Sequence, residues 1–124
     1  MKTLYTYTGI VKRVVDGDTV DIIVDLGFSI FTTVRFRLYG IDTPELTGKD
    51  ETLRNLAISA KKYVVDSIED KHVTMQSFGK DKYGRYLAIV KINGQTESIN
   101  QQLINFGLAK PYFGDGKTSV AWVE

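Results

Sequence analysis

Cysteine is absent from the 124 residues, and histidine occurs once, at position 72. The first absence excludes disulfides, thiolate zinc sites and cysteine nucleophiles. The second means that a lone His72 supplies neither a multi-histidine metal cage nor a conventional serine–histidine relay. Any metal must therefore sit on oxygen. No stretch approaches the run of about 20 apolar residues that spans a bilayer, and Met1 to Gly9 lacks the apolar core of a signal peptide. The expectation is a protein with no membrane partner, cytoplasmic by default, or secreted if a signal was removed ahead of Met1. An excess of one charge sign is missing too: Lys+Arg 16 against Asp+Glu 15 leaves a net charge of +1. The chain as a whole is not the basic body that grips duplex phosphate by bulk charge, so binding a polyanion would need local concentration of cations.

No repeat, low-complexity tract or Pro/Gly/Ser linker divides the chain, so residues 1–124 read as one domain. A domain of this length buries roughly two-thirds of its unfolded surface and can hold together without crosslinks. From Thr3 to Leu38 the pattern is β-like. Val20, Ile22 and Val24 alternate with Asp21, Ile23 and Asp25, and Val34, Phe36 and Leu38 alternate with Arg35 and Arg37. Asp16-Gly17 and Leu26-Gly27-Phe28 punctuate three strands, and Asp-Gly suits a turn needing positive φ. From about Glu51 the period lengthens: Leu53, Leu56, Ala57, Ala60, Val64 and Ile68 share one helical face. Val73 to Phe78 and Tyr86 to Ile92 return to strand. Ser98 with Gln101 reads as a capping box for a second helix carrying Ile99, Leu103, Ile104 and Phe106, ended by Gly107. The order β-β-β-α-β-β-α predicts a mainly β, five-stranded Greek-key barrel of the OB type with two packed helices.

Chemistry concentrates in three turns. Asp16-Gly17-Asp18-Thr19 read alone is a hairpin, yet Asp18 shares the parity of the expected buried face, where a carboxylate needs a partner. Ile41-Asp42-Thr43-Pro44-Glu45 follows the third strand, and Pro44 holds Thr43 extended. Read alone it is a helix-entry turn with acids ahead of a helix dipole. Together the two turns offer Asp18 and Asp42 as hard ligands, with the Thr43 carbonyl and water able to complete a calcium shell. Glu45 is then left free to accept a proton from an attacking water. Arg35 and Arg37 share one strand face, where an arginine beside carboxylates is either a salt bridge or a phosphate donor. Lys80, Lys82, Tyr83 and Arg85 crowd one glycine-bearing loop, otherwise the pattern of a solvated turn.

The segments Asp16-Gly17-Asp18-Thr19, Arg37 to Glu45, Asp81-Lys82-Tyr83-Gly84-Arg85 and Gly107-Leu108-Ala109-Lys110, in this order and at these separations, closely resemble the staphylococcal nuclease (thermonuclease) family. The resemblance spans most of the chain. It implies a calcium-dependent phosphodiesterase on an OB-type barrel, cleaving DNA or RNA with little sequence preference and leaving 3′-phosphate ends. By motif position it makes Asp18, Asp42 and the Thr43 carbonyl calcium ligands, Glu45 the general base, and Arg37 and Arg85 the phosphate-clamping pair. Lys82 and Tyr83 fall where the family contacts a terminal phosphate, and Tyr112 and Phe113 both stand near its base-stacking position. The chain departs from the family type after Pro111, where too few residues remain for a third helix; Thr118 to Glu124 is open to a terminal strand, a partner-binding edge or a tail. The near-neutral charge leans toward single-stranded or frayed substrate, and a monomer is expected. Two other classes share the barrel: a non-catalytic single-strand-binding module and a Tudor-type protein-interaction domain. Retention of Asp18, Asp42 and Glu45 argues against both.

Overall fold

A computed structural model describes residues 5–113 and Trp122. The question of Thr118 to Glu124 falls, Trp122 apart, outside the described residues. Alternating apolar residues build the barrel. β1 (Tyr5–Asp16), β2 (Thr19–Asp25), β3 (Phe31–Leu38), β5 (His72–Lys80) and β6 (Tyr86–Ile92) close in the order β1-β2-β3-β6-β5. All pairings are antiparallel except β3 with β6, which run parallel. Val20 and Ile22 are fully buried and Val24 nearly so, while Arg35 on the opposite face of β3 is exposed, as the period of two requires.

α1 (Glu51–Ile68) is capped by Asp50, whose carboxylate accepts from the Leu53 N–H. It packs on the barrel through Ala57, Ala60, Val64 and Ile68. Leu53 was expected on that face, but it lies in the first turn and stays 49% exposed. α2 (Ile99–Asn105) starts at Ser98, whose hydroxyl accepts from the Gln101 N–H. Its Phe106 end leans on Tyr63 and remains exposed. Fully buried Asn100 ties α2 to the barrel: its carbonyl accepts from Val90 N–H, and its amide donates to the carbonyls of Tyr39 and Ala88. Every polar atom of that side chain is therefore matched in the dry core.

One ladder was not anticipated. β4 (Ile41–Asp42) pairs antiparallel with β7 (Lys110–Pro111), each only two residues long. Gly40, at φ +79°, turns the chain from β3 into β4, and the Tyr112 N–H donates to the Gly40 carbonyl. The segment after α2 is thereby laid beside the turn that carries Asp42.

Candidate active site

Three local structures converge at one end of the β2–β3 ladder. The β1–β2 hairpin brings Asp18 to β3, where the Leu38 N–H donates to the Asp18 carbonyl at 2.8 Å and Thr19 pairs with Arg37. Gly17 is required here by space and not by φ, a correction to the turn chemistry expected of Asp-Gly. A Cβ at Gly17 would stand 2.9 Å from the Ala60 Cβ and 3.1 Å from the Thr43 side chain. The missing side chain lets the 42–45 turn and α1 close over the hairpin. The Thr43 N–H then donates to Asp18 Oδ2 at 3.3 Å, joining the two acidic turns directly. Beyond Glu45, the Glu45 carbonyl accepts from Gly48 N–H and Arg54 donates to the carbonyls of Gly48 and Lys49, anchoring the turn to α1.

The result is a cavity of about 220 Å³ lined by Asp16, Asp18, Arg37, Asp42, Thr43, Pro44, Glu45 and Arg85. Through Arg37, Asp42 and Arg85 it opens into a groove of about 410 Å³ that also holds Lys82, Tyr83, Asp81, Leu87 and Tyr112. Arg37, only 14% exposed, is the hinge between the two. Its guanidinium lies 3.4 Å from Asp42 Oδ1 and 3.7 Å from Asp18 Oδ2, and it donates to the Ile41 carbonyl. Tyr112 lies over it, with 5.6 Å from the guanidinium carbon to the ring centroid. Arg35, by contrast, is held in a two-pronged ion pair by Asp21 on β2 and takes no part in the cavity.

Arg85 is aimed by Asp81. One carboxylate oxygen accepts from the backbone N–H groups of Tyr83 and Arg85, each at 2.9 Å; the other accepts from Arg85 Nε at 2.8 Å. Burial pushes the Asp81 carboxyl up, but the Arg85 and Tyr83 N–H bonds and the Arg85 charge outweigh it, so the carboxyl titrates below its ordinary value. With Nε engaged, the terminal nitrogens of Arg85 are left for the cavity.

Sequence reasoning passed over two of these residues. Asp81 has a place in the Asp81–Arg85 segment of the family likeness but no role of its own in the sequence reading. Asp16 was taken as a turn residue, yet it lines the cavity beside Asp18. Burial, hydrogen bonding with Asp18 and the Asp18 charge raise the Asp16 pKa to about 6. The signal available in the sequence was the second acid of the Asp16-Gly17-Asp18 hairpin. Of the two aromatic candidates, Tyr112 lines the groove, whereas Phe113 packs edge-on against Tyr39 at 5.5 Å and against the core.

Among the described residues no three or more acidic or histidine side chains are gathered into a ready-made metal cage. The donors that do converge are oxygens, and the repulsion between Asp16 and Asp18 is what a nearby cation would relieve. The set fits a hard, hydrated ion of the calcium type, which tolerates irregular oxygen shells completed by water.

The fold and the site together are an OB-type barrel with an acidic cup at one strand end and an arginine- and tyrosine-lined groove beside it. The model of the family described as staphylococcal nuclease homologue matches residues 35–121, and the chain belongs to that family. It is 30% identical to an uncharacterised protein of Methanocaldococcus jannaschii, over 88% of this chain and 61% of that protein. It is 35% identical to the thermonuclease of Staphylococcus intermedius, over 84% of this chain and 59% of the relative. It is 36% identical to the endonuclease YhcR of Bacillus subtilis, over 86% of this chain but 9% of that protein. The chain thus spans about 60% of the length of the first of these relatives.

Proposed function

We propose that the protein is a calcium-dependent phosphodiesterase that hydrolyses DNA or RNA with low sequence specificity and leaves 3′-phosphate ends. One observation carries this reading: Asp18, Asp42 and Glu45 share a single cup with Arg37 and Arg85, and the cup opens on a groove holding Lys82, Tyr83 and Tyr112. The naming of relatives as thermonuclease, endonuclease and micrococcal nuclease supports it.

The residues divide the work by charge. Asp18, Asp42 and the Thr43 carbonyl would hold calcium, which when bound polarises a phosphoryl oxygen. Glu45, exposed at the rim and not engaged by either arginine, orients the attacking water and takes its proton. Arg37 and Arg85 meet the charge that grows on the phosphoryl oxygens as the pentacoordinate state forms. Lys82 and Tyr83 hold a neighbouring phosphate, and Tyr112 offers a face to a base.

The test is digestion of single-stranded DNA with calcium and with chelator, comparing the parent chain with Glu45→Gln. Expected are chelator-sensitive cleavage, products whose ends are altered by phosphatase, and a drop of at least about a hundredfold in kcat for Glu45→Gln. A chain that binds DNA without cutting it, or a Glu45→Gln variant with parental kcat, overturns the proposal.

A further inference from the structure

The proposed chemistry leaves Arg35 without a role. On β3 it stands two residues from Arg37, about 7 Å along the strand, and on the same face. The strand register builds a row around it. Arg37 pairs with Thr19, which pairs with Asp16; two residues along, Arg35 pairs with Asp21, which pairs with Arg13 of β1. Arg13, Asp21 and Arg35 therefore cross three strands directly beside the row whose Asp16 and Arg37 line the cup.

A bulge in β1 adds a third cation. Between Val11 and Arg13 β1 advances two residues while β2 advances one, from Ile22 to Asp21. Lys12 and Arg13 are both exposed as a result, where strict alternation would turn one of them inward. Asp21 gathers the three charges. The bond from Arg35 first, and then the charges of Arg35, Arg13 and Lys12, hold the Asp21 carboxyl below its ordinary value against the upward push of burial. Its two oxygens accept from Arg35 Nε at 2.8 Å and Nη2 at 3.1 Å, which fixes the guanidinium and leaves Nη1 unengaged. Asp81 aims Arg85 through Nε by the same device.

An exposed cross-strand ion pair contributes little stability, and it needs neither the bulge nor two further cations. Among the described residues, Lys12 and Arg13 enter no ion pair. The row carries three positive charges against one negative, in a chain whose net charge is only +1. This is the local concentration of cations that a near-neutral chain needs to hold a polyanion. Its place beside Arg37 selects the polyanion: a single strand with one phosphate at the cup brings its next phosphates over the adjoining row, and cations that follow the backbone hold such a strand whatever its sequence.

We infer that Arg35, Arg13 and Lys12 form a phosphate track leading off the cup, on which the strand being cut lays its next backbone phosphates. The inference rests on the nuclease reading and narrows the substrate to a strand several nucleotides long, gripped there by its backbone.

The test measures binding of a fluorescein-labelled long oligothymidylate to the full chain, by anisotropy in chelator across a salt series. Log Kd rises with log salt by about 0.7 for each phosphate contacted on a single strand. Arg13→Gln, which breaks no ion pair among the described residues, should lower that slope by about 0.7. The triple variant Lys12→Gln, Arg13→Gln, Arg35→Gln should lower it by about 2 and raise Kd at least about tenfold. In calcium the same variants should raise KM for the oligonucleotide and leave kcat unchanged. Hydrolysis of bis(p-nitrophenyl) phosphate, which has a single phosphate, should not change either. Parental slope and affinity in both variants overturn the inference, as does an equal loss on the small diester, which marks a disturbed cup and not a lost track. If circular dichroism shows the triple variant unfolded, Arg13→Gln alone decides. A parent that binds with these slopes but cuts neither substrate ends the nuclease reading and keeps the track; a parent that cuts, with slopes unmoved in the variants, ends the track and keeps the nuclease reading.

Discussion

Asp81→Asn should slow turnover without unfolding the protein. The asparagine carbonyl can keep the two backbone bonds that Oδ1 accepts from Tyr83 and Arg85, so the loop retains its shape. The bond lost is the 2.8 Å one from Arg85 Nε to Oδ2, which an amide N–H cannot accept. A hydrogen bond to a charged group is worth roughly 1.5–3 kcal/mol, but the Arg85 side chain is 35% exposed, so screening leaves about 1 kcal/mol of stability. A domain of this size loses only a few degrees of Tm for that amount. Catalysis should suffer more, since a donor aimed at transition-state charge is worth about 3 kcal/mol, and a guanidinium freed at Nε spends most of its time misaimed. The expectation is a drop in kcat of about ten- to a hundredfold with KM little changed, measured on single-stranded DNA in calcium. Because Asp81 acts through Arg85, the double variant with Arg85→Ala should be no slower than Arg85→Ala alone. If the two losses add, or if Asp81→Asn keeps parental kcat while Arg85→Ala does not, the aiming role is refuted.

Three further outcomes follow from the same geometry. The Asp16 pKa is raised in the folded state from 3.8 to about 6, so its ionised form costs stability above pH 6, and the penalty disappears as pH falls toward 4. In chelator, Asp16→Asn should thus gain about 1–2 kcal/mol over the parent at pH 8 and nothing at pH 4, by urea unfolding; an equal gain at both pH values refutes the mechanism. Asn100→Leu leaves the buried Val90 N–H without its Asn100 acceptor and should cost about 1–3 kcal/mol in the same assay, against less than about 0.5 for an exposed site; a Tm within a degree of the parent refutes the buried polar tie. Calcium titrated by calorimetry should bind at about 10⁻⁴–10⁻³ M, as an irregular site with few carboxylates does, and Asp42→Ala should abolish the heat; micromolar affinity would contradict the ligand set.

What the sequence determined by itself is whatever depends on local period and on the few residue types that can do a given job. The alternation of Val20, Ile22 and Val24, the three-to-four spacing from Ala57 to Ile68 and the Ser98 cap announce strands and helices, because each element must bury one face. The lack of cysteine and the lone histidine confine any metal to oxygen, and four short segments in order carry the family likeness. Tertiary structure decided what depends on distance between segments far apart in the chain. That Gly17 exists to admit Thr43 and Ala60, and that Asp81 spends its charge on Arg85, is invisible in pattern, since both read as ordinary turn residues. Asn100 looks like a polar residue on a short helix until the fold seals it between Tyr39 and Val90. Tyr112 and Phe113 are neighbours of similar chemistry, and only the two-residue β4–β7 ladder sends one into the groove and the other into the core. Periodicity reports which face a residue occupies; which distant residue waits there is settled only when the barrel closes.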